Sequence, residues 1–210
     1  MRAAGTITRA RSATARLLLR AGVSADAMTV LGLLGTVIGA VGFAARGHLL
    51  IATAIVAVSA LCDALDGMMA RLSGGGTRFG ALLDSAADRI GDGAVFASLA
   101  FWLADSGRPR AAAAALCCLI GAYLVSYVRA RAEGLGVSGE VGFAHRYVRL
   151  KFVGVGVLLG ALGLVGAFEV TLWALAVLSA ITAGQRLVHA RRQFRAADGL
   201  LGTEVLDSPS

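Results

Sequence analysis

Long apolar runs separated by short polar segments make up most of this 210-residue chain. A bilayer core about 30 Å thick requires about 20 helical residues for each crossing. Six stretches have that length: residues 28–45, 48–70, 81–104, 110–130, 150–167 and 169–188. Because these runs are continuous and lack the alternation of barrel strands, they predict an all-α integral membrane protein with six transmembrane helices.

The two ends of the chain differ from these runs. On a helix at residues 1–21, one face carries four arginines, which are Arg2, Arg9, Arg16 and Arg20. The opposite face carries apolar and small side chains. This pattern predicts an N-terminal interfacial amphipathic helix. The membrane domain then covers residues 22–190. Residues 191–210 are basic and then polar, which predicts a disordered cytoplasmic tail.

Composition and charge agree with a membrane protein. The chain is 57% apolar and 16% charged, whereas soluble domains are usually about 45–50% apolar and about 25% charged. An ordinary soluble enzyme is therefore excluded. With the N-terminus inside, 16 of the 20 Lys and Arg residues lie on the inner side, which predicts a multi-pass N-in, C-in topology. Topology and contact with anionic membrane lipids explain the net charge of +7, so no nucleic-acid partner is expected.

Acidic residues are concentrated in one part of the chain. Five of the 13 lie inside or beside the second and third predicted spans: Asp63, Asp66, Asp84, Asp88 and Asp92. Asp63 and Asp66 are three residues apart, and Asp84 and Asp88 are four apart, so each pair lies on one face of its helix. The glycine-rich turn at residues 72–80 predicts that the two helices are antiparallel neighbours, with both pairs at a similar depth.

This residue set favours a divalent-cation site. Carboxylates without His or Cys suit Mg²⁺ or Mn²⁺ rather than zinc, and four of them can hold two ions that clamp a pyrophosphate. The glycine-rich turn and its arginines suit a phosphate. Two other interpretations stay open. The carboxylates could form structural ion pairs with nearby arginines, or they could serve a cation- or proton-coupled membrane transporter.

The segment from Asp63 to Asp88 also resembles a family signature. It reads DALDGMMAR, then eight residues, then GALLDSAAD. This is similar to the CDP-alcohol phosphotransferase motif DxxDGxxAR(x8)GxxxDxxxD at all of its fixed positions. Residues 74–96 and 127–134 are similar to the actinobacterial phosphatidylinositol phosphate synthases within that family.

The resemblance implies a homodimer in the bacterial inner membrane, with an active site that faces the cytoplasm. It also implies Mg²⁺-dependent transfer of a phosphatidyl group from CDP-diacylglycerol (CDP-DAG) to inositol phosphate, which gives phosphatidylinositol phosphate and CMP. The nearest alternative keeps this donor chemistry and changes the acceptor, for example to glycerol phosphate, because the motif concerns the donor.

Site residues follow from the resemblance position by position. The implied metal ligands are Asp63, Asp66, Asp84 and Asp88, and Asp88 is also the implied general base on the acceptor hydroxyl. The implied contacts to the CDP-lipid are Asp26, Thr29, Gly67, Ala70, Arg71, Thr77, Arg78 and Gly80. The implied contacts to the acceptor phosphate lie at the inner ends of three different helices: Arg129, Arg149 and Arg186. Positive-inside topology alone would also place arginines there.

Two segments depart from the family pattern. Before the fifth span, the usual GxxERxERL has His145 and Val148 in place of its two Glu residues, although both arginines are retained. At the start of the first span, Ala25 replaces the usual Pro ahead of Asp26 and Thr29. The first departure concerns the acceptor pocket and leaves the metal ligands intact.

Overall fold

The computed structural model describes residues 2–139, 141, 146–162 and 164–206. The described residues form helices and connecting turns without a strand, so the all-α prediction is confirmed. The helices are α1 (Arg2–Arg20), α2 (Ala25–Val37), α3 (Leu49–Leu72), α4 (Arg78–Asp105), α5 (Pro109–Gly134), α6 (Arg146–Ala161) and α7 (Val165–Leu206). A π-helical segment (Ile38–Phe43) and a 3₁₀ turn (Ala44–Arg46) extend α2.

Four segments of the described chain are long and apolar enough to cross a membrane. They are Ala25–Arg46, Leu49–Leu72, Pro109–Gly134 and Gly166–Ala196, and they correspond to the first, second, fourth and sixth predicted spans. The third predicted span falls on α4, which carries four charged side chains in its first half. The fifth falls on α6, which has 16 residues and ends at Ala161. Neither is therefore among the four segments identified by length and apolar composition, and the six-span prediction is confirmed for four spans.

Helix α1 occupies the predicted N-terminal position and packs against α3. Ala15 is fully buried in a cluster with Met28 and Met69, and Leu18 packs against that cluster. Arg16 is exposed. Part of the apolar face of α1 is therefore covered by protein.

The C-terminal segment differs from the prediction. Helix α7 continues to Leu206, through most of residues 191–210, which were predicted to form a disordered tail. The segment from Arg191 to Leu206 contains no proline and many good helix formers, and its two glycines, Gly199 and Gly202, weaken a helix without forcing it to end. Residues 207–210 lie outside the described residues.

The chain folds as two compact units, Met1–Arg108 and Pro109–Ser210. In the first unit, α2 packs against both α3 and α4. Within the described residues, the backbones of α3 and α4 approach each other closely at few positions or none. The sequence predicted that α3 and α4 are immediate neighbours. In the structure, both instead pack against α2. In the second unit, α7 packs against both α5 and α6.

Glycines on α2 and on its π-helical extension allow this close packing. A Cβ atom on Gly32 would lie 2.7 Å from Asp63 Oδ1, and one on Gly39 would lie 3.1 Å from Ile55 Cγ2. Small residues let membrane helices approach closely in this way. Helix α2 is therefore held directly against the face of α3 that carries Asp63.

We predict that Gly121→Ala lowers the free energy of unfolding by about 1–3 kcal/mol, the usual cost of overpacking. A Cβ on Gly121 of α5 would lie 2.7 Å from Ser179 Cβ of α7, so the two helices would have to move apart. Gly184→Ala on α7 is the matched control, because no atom lies within 4 Å of its added Cβ. Thermal unfolding in detergent measures both variants. Equal midpoints would contradict the close contact.

Candidate active site

The first turns of α2 hold two of the predicted CDP-lipid contacts. Ser24 caps the helix, because its Oγ accepts a hydrogen bond from the Ala27 N–H at 3.1 Å. Asp26 and Thr29 follow three residues apart, so they lie on one helical face. Asp26 is half-buried and Thr29 is buried. The cap thus fixes the start of the helix that presents both side chains.

A short hydrogen bond connects α2 to α3 at the carboxylate cluster. Thr29 Oγ1 donates to Asp66 Oδ2 at 2.7 Å, and Asp66 is only 7% exposed. A carboxylate removed from water is costly unless it is hydrogen-bonded or paired with a cation. Thr29 therefore both stabilises the buried carboxylate and fixes its orientation.

The other carboxylates of α3 and α4 lie around Asp66 in different environments. Asp63 is half-buried against Gly32 of α2, while Asp84 is exposed. Both lie close enough to Asp66 to act on it electrostatically. Three carboxylates within electrostatic range repel one another, so this part of the first unit favours a bound cation.

Asp88 lies one turn beyond Asp84 on α4. Its Oδ2 forms an ion pair with Arg89 Nη2 at 3.2 Å, and both side chains are partly exposed. Asp92, one further turn along, is 2% exposed. The ion pair with Arg89 is one of the structural pairs that the sequence left open, and it orients the carboxylate predicted to be the general base.

The turn between α3 and α4 brings cationic side chains to the same end of these helices. Gly74 and Gly75 have φ angles of 94° and 113°, a left-handed conformation that glycine adopts without strain. Arg71 in the last turn of α3 and Arg78 at the start of α4 are both exposed. A five-residue turn thus places two guanidinium groups within reach of solvent and of a ligand.

The start of α4 is built closely against α2. Thr77 Oγ1 caps the helix by accepting a hydrogen bond from the Gly80 N–H at 2.8 Å. A Cβ on Gly80 would lie 3.0 Å from Asp26 Oδ1. The structure therefore brings together Asp26, Thr77 and Gly80, all of which were predicted to contact the CDP-lipid.

The two remaining predicted donor contacts lie on α3. Gly67 has no atom within 4 Å of the position of an added Cβ, so its surface is open. The Ala70 carbonyl accepts a hydrogen bond from the Gly75 N–H at 3.1 Å, which fixes the path of the turn. Gly67 thus leaves space for a ligand, while Ala70 orders the loop beside it.

The four predicted metal ligands supply oxygen donors only, which fits a hard divalent cation. Within the described residues, however, no three acidic, His or Cys side chains are close enough to form a ready-made metal site. Asp66 is held in place by Thr29, whereas Asp84 is exposed. The oxygen donors of these four residues therefore suit the metal chemically. Within the described residues, their side chains lie farther apart than the ligands of an assembled metal site.

The three arginines predicted to bind the acceptor phosphate belong to the second unit, and their environments differ. Arg129 on α5 is partly exposed, and its Nε forms an ion pair with Glu133 Oε1 at 2.8 Å. Arg149 on α6 and Arg186 on α7 are 2% and 4% exposed. The burial of two of them goes beyond what positive-inside topology requires, because topology alone leaves arginines in water or at headgroups.

Arg186 connects α7 to two other segments of its unit. Its Nη1 donates to the Val125 carbonyl of α5 at 2.7 Å, and its Nε donates to the Val141 carbonyl at 2.8 Å. Val125 and Arg129 are four residues apart on α5, so the Arg186 guanidinium lies about one turn from Arg129. The structure thus brings Arg186 close to the helix face that carries Arg129.

Comparison with known proteins identifies relatives along most of the chain. The sequence model of the CDP-alcohol phosphatidyltransferase family matches residues 23–183. The phosphatidylinositol phosphate synthase of Mycobacterium marinum is 45% identical over 177 residues, which cover 82% of this chain and 76% of that protein. The synthase of Corynebacterium glutamicum is 40% identical over 178 residues, which cover 84% of this chain and 81% of that protein.

Two solved structures of the Mycobacterium tuberculosis phosphatidylinositol phosphate synthase are also similar, each at 43% identity. The structure with CDP-DAG bound has a TM-score of 0.81 and covers 87% of this chain and 94% of that chain. The complex with manganese and citrate has a TM-score of 0.80 and covers 86% of this chain and 88% of that chain.

We predict that Thr29→Val lowers the free energy of unfolding by about 1–3 kcal/mol, because it leaves the buried Asp66 carboxylate without its short hydrogen bond. Thr29→Ser keeps the hydroxyl and is expected to restore most of the loss. Thermal unfolding in detergent compares the two variants with the wild type. A Val variant as stable as the Ser variant would contradict the assigned role of the hydroxyl.

Proposed function

Because the chain belongs to the CDP-alcohol phosphatidyltransferase family, we propose that it transfers a phosphatidyl group from CDP-DAG to inositol phosphate in phospholipid biosynthesis. The products are phosphatidylinositol phosphate and CMP. The observation that carries the proposal is the buried Asp66, held by Thr29 and close to Asp63 and Asp84, within the family signature. Relatives at 40–45% identity named phosphatidylinositol phosphate synthase support the choice of acceptor.

The first unit supplies the donor site. The exposed Arg71 and Arg78 bind the phosphates of CDP-DAG, and the open surface at Gly67 admits the nucleotide. Asp26 and Thr29 at the start of α2 contribute further contacts, together with Ala70, Thr77 and Gly80. The acyl chains stay in the bilayer beside the exposed apolar side chains of the spanning helices.

The carboxylates Asp63, Asp66, Asp84 and Asp88 hold Mg²⁺, or Mn²⁺ in its place, with two ions in each active site. When bound there, the cations would supply positive charge that offsets the charge of the pyrophosphate and of the leaving CMP. The M. tuberculosis structure in complex with manganese supports a divalent metal. The all-oxygen donor set supports the same class of ion.

Asp88 acts as the general base. It takes the proton of the acceptor hydroxyl while the hydroxyl oxygen bonds to the phosphorus that carries the diacylglycerol. The bond between that phosphorus and the bridging oxygen breaks, and the electron pair leaves with CMP. The ion pair with Arg89 holds the Asp88 carboxylate in position for this transfer.

The second unit supplies the acceptor site. Arg129, Arg149 and Arg186 bind the phosphate of inositol phosphate, and the approach of Arg186 to the Arg129 face of α5 supports this assignment. Glycerol phosphate is the alternative acceptor, since the same cations would bind its phosphate. Family membership decides against the transporter interpretation.

The enzyme is a membrane protein, and we place it in the bacterial inner membrane. Its topology is N-in, C-in with six spans, so that α4 and α6 complete the set, and α1 lies at the interface. The active site faces the cytoplasm, because the arginine-rich segments lie on that side. The homodimer rests on the family resemblance, and the mass of the detergent-solubilised protein tests it.

The proposed reaction predicts CMP release that depends on CDP-DAG, on Mg²⁺ and on a phosphorylated acceptor. We expect inositol phosphate to be the best substrate in a panel that includes glycerol phosphate, free inositol and free glycerol. Chelation with EDTA should abolish turnover, and Mg²⁺ or Mn²⁺ should restore it. Absence of CMP with every acceptor would refute the transferase, whereas preference for glycerol phosphate would refute only the acceptor.

The proposed base predicts that Asp88→Asn reduces kcat by about 100-fold or more, since general base catalysis contributes about 10²–10⁴-fold. Binding of CDP-DAG should be largely retained, because the direct CDP-lipid contacts are assigned to other residues and three of the four proposed metal ligands remain. Asp105→Asn is the matched control, since this exposed carboxylate ends the same helix. Initial rates and a CDP-DAG binding assay separate the two effects. Near-normal kcat in the Asp88 variant would exclude it as the base.

A further inference from the structure

The loop that follows α5, described at residues 135–139 and 141, is ordered by hydrogen bonds between its own backbone and the end of α5. Gly136 has a φ angle of 83°, and the Val137 N–H donates to the Ala132 carbonyl at 3.0 Å. The Gly136 N–H donates to the Glu133 carbonyl at 3.1 Å. These bonds form a Schellman ending, which turns the chain sharply away from the helix axis. The loop therefore leaves α5 in a defined direction.

A glutamine on α7 then holds this loop through two hydrogen bonds. Gln193 Nε2 donates to the Ser138 carbonyl at 2.9 Å, and the Ser138 N–H donates to Gln193 Oε1 at 3.1 Å. One side-chain amide thus pairs with both backbone groups of a residue 55 positions away. Two opposed bonds fix the orientation of the loop as well as its position.

The loop held by Gln193 contacts two of the arginines assigned to the acceptor. Gly139 packs on α5, where an added Cβ would lie 2.8 Å from Arg129 Cα. The Val141 carbonyl accepts the hydrogen bond from Arg186 Nε at 2.8 Å. Arg186 and Gln193 are seven residues apart, about two turns, so they share one face of α7.

These contacts lead to an inference that rests on the proposed function. We propose that Gln193 is a positioning residue for the acceptor: by holding the backbone of Ser138, it sets the places of Arg129 and Arg186. Release of the loop withdraws the Val141 carbonyl from Arg186, whose guanidinium then changes partners. The backbone of Arg129 loses its contact with Gly139 at the same time.

The inference predicts a selective effect on the acceptor. The contacts assigned to CDP-DAG all belong to the unit Met1–Arg108, which does not include the loop, so we expect the release of the loop to act on the acceptor contacts. In Gln193→Ala, we expect the KM for inositol phosphate to rise about three- to tenfold, in line with the loss of one or two hydrogen bonds. The KM for CDP-DAG and kcat should stay within about twofold of the wild-type values.

Two further variants sharpen the comparison. Gln193→Glu keeps the length of the side chain and the acceptor for the Ser138 N–H, but it loses the donor to the Ser138 carbonyl. We therefore expect an effect at least as large as that of Gln193→Ala, because a carboxylate then faces a carbonyl. Gln185→Ala is the matched control, since Gln185 is an exposed glutamine on the same helix. It should leave all three constants unchanged.

Hydrogen exchange of the backbone amides from Leu135 to Gly139 supplies a readout that does not depend on activity. We expect faster exchange in Gln193→Ala and unchanged exchange in Gln185→Ala. Unchanged exchange in Gln193→Ala would overturn the hold on the loop. Faster exchange with an unchanged acceptor KM, or with equal losses for donor and acceptor, would overturn the positioning role.

Failure of the proposed function gives a different result. Arg129→Ala is the reference for a lost acceptor contact, and an unchanged acceptor KM there would refute the acceptor site itself. If the wild type uses another phosphorylated alcohol, the same comparison with that alcohol decides the role of Gln193. If it releases no CMP with any acceptor, the catalytic positioning role falls with the proposed function, and exchange still decides whether Gln193 holds the loop.

Discussion

The cost of placing carboxylates among apolar helices is the constraint on which the first unit depends. An ionised carboxylate away from water needs a hydrogen-bond donor or a cation. Thr29 supplies the donor for Asp66 across the α2–α3 contact, and Arg89 supplies a cation for Asp88. Repulsion between Asp66 and its neighbours on α3 and α4 remains, and the proposed divalent cation would offset it. The same arrangement therefore explains both the packing of α2 and the chemistry of the site.

Helix α2 has the central place in that unit because it packs against both helices that carry the acids. Its glycines allow the approach to α3, and Gly80 of α4 allows the approach to Asp26. Residues from three separate parts of the sequence, Asp26, Asp66 and Gly80, thereby come to one end of the unit. The two carboxylate-bearing helices are connected through α2 more than through each other.

The second unit contains buried charged groups of the opposite sign, the guanidinium groups of Arg149 and Arg186. Buried guanidinium groups need acceptors, and Arg186 finds them in the backbone carbonyls of Val125 and Val141. These bonds, together with the Gln193 amide, connect α7 to α5 and to the loop that follows it. A residue assigned to substrate binding is thus also part of the scaffold. Removal of Arg186 would for that reason affect folding and binding together.

The amino-acid sequence by itself determined the helical class, four of the apolar spans and the family, and it predicts the carboxylate set. These features depend on local composition and on spacing within one helix or one turn, which the order of residues fixes directly. The sequence did not predict the continuation of α7 to Leu206, because polar composition and two glycines indicate disorder, whereas the absence of proline allows the helix to continue. Only the tertiary structure decided that α2 packs against both α3 and α4. It also decided that Thr29 donates a hydrogen bond to Asp66 and that the Gln193 amide pairs with the backbone of Ser138. Those contacts join positions 37 and 55 residues apart, and no periodicity in a single chain records which distant side chains meet.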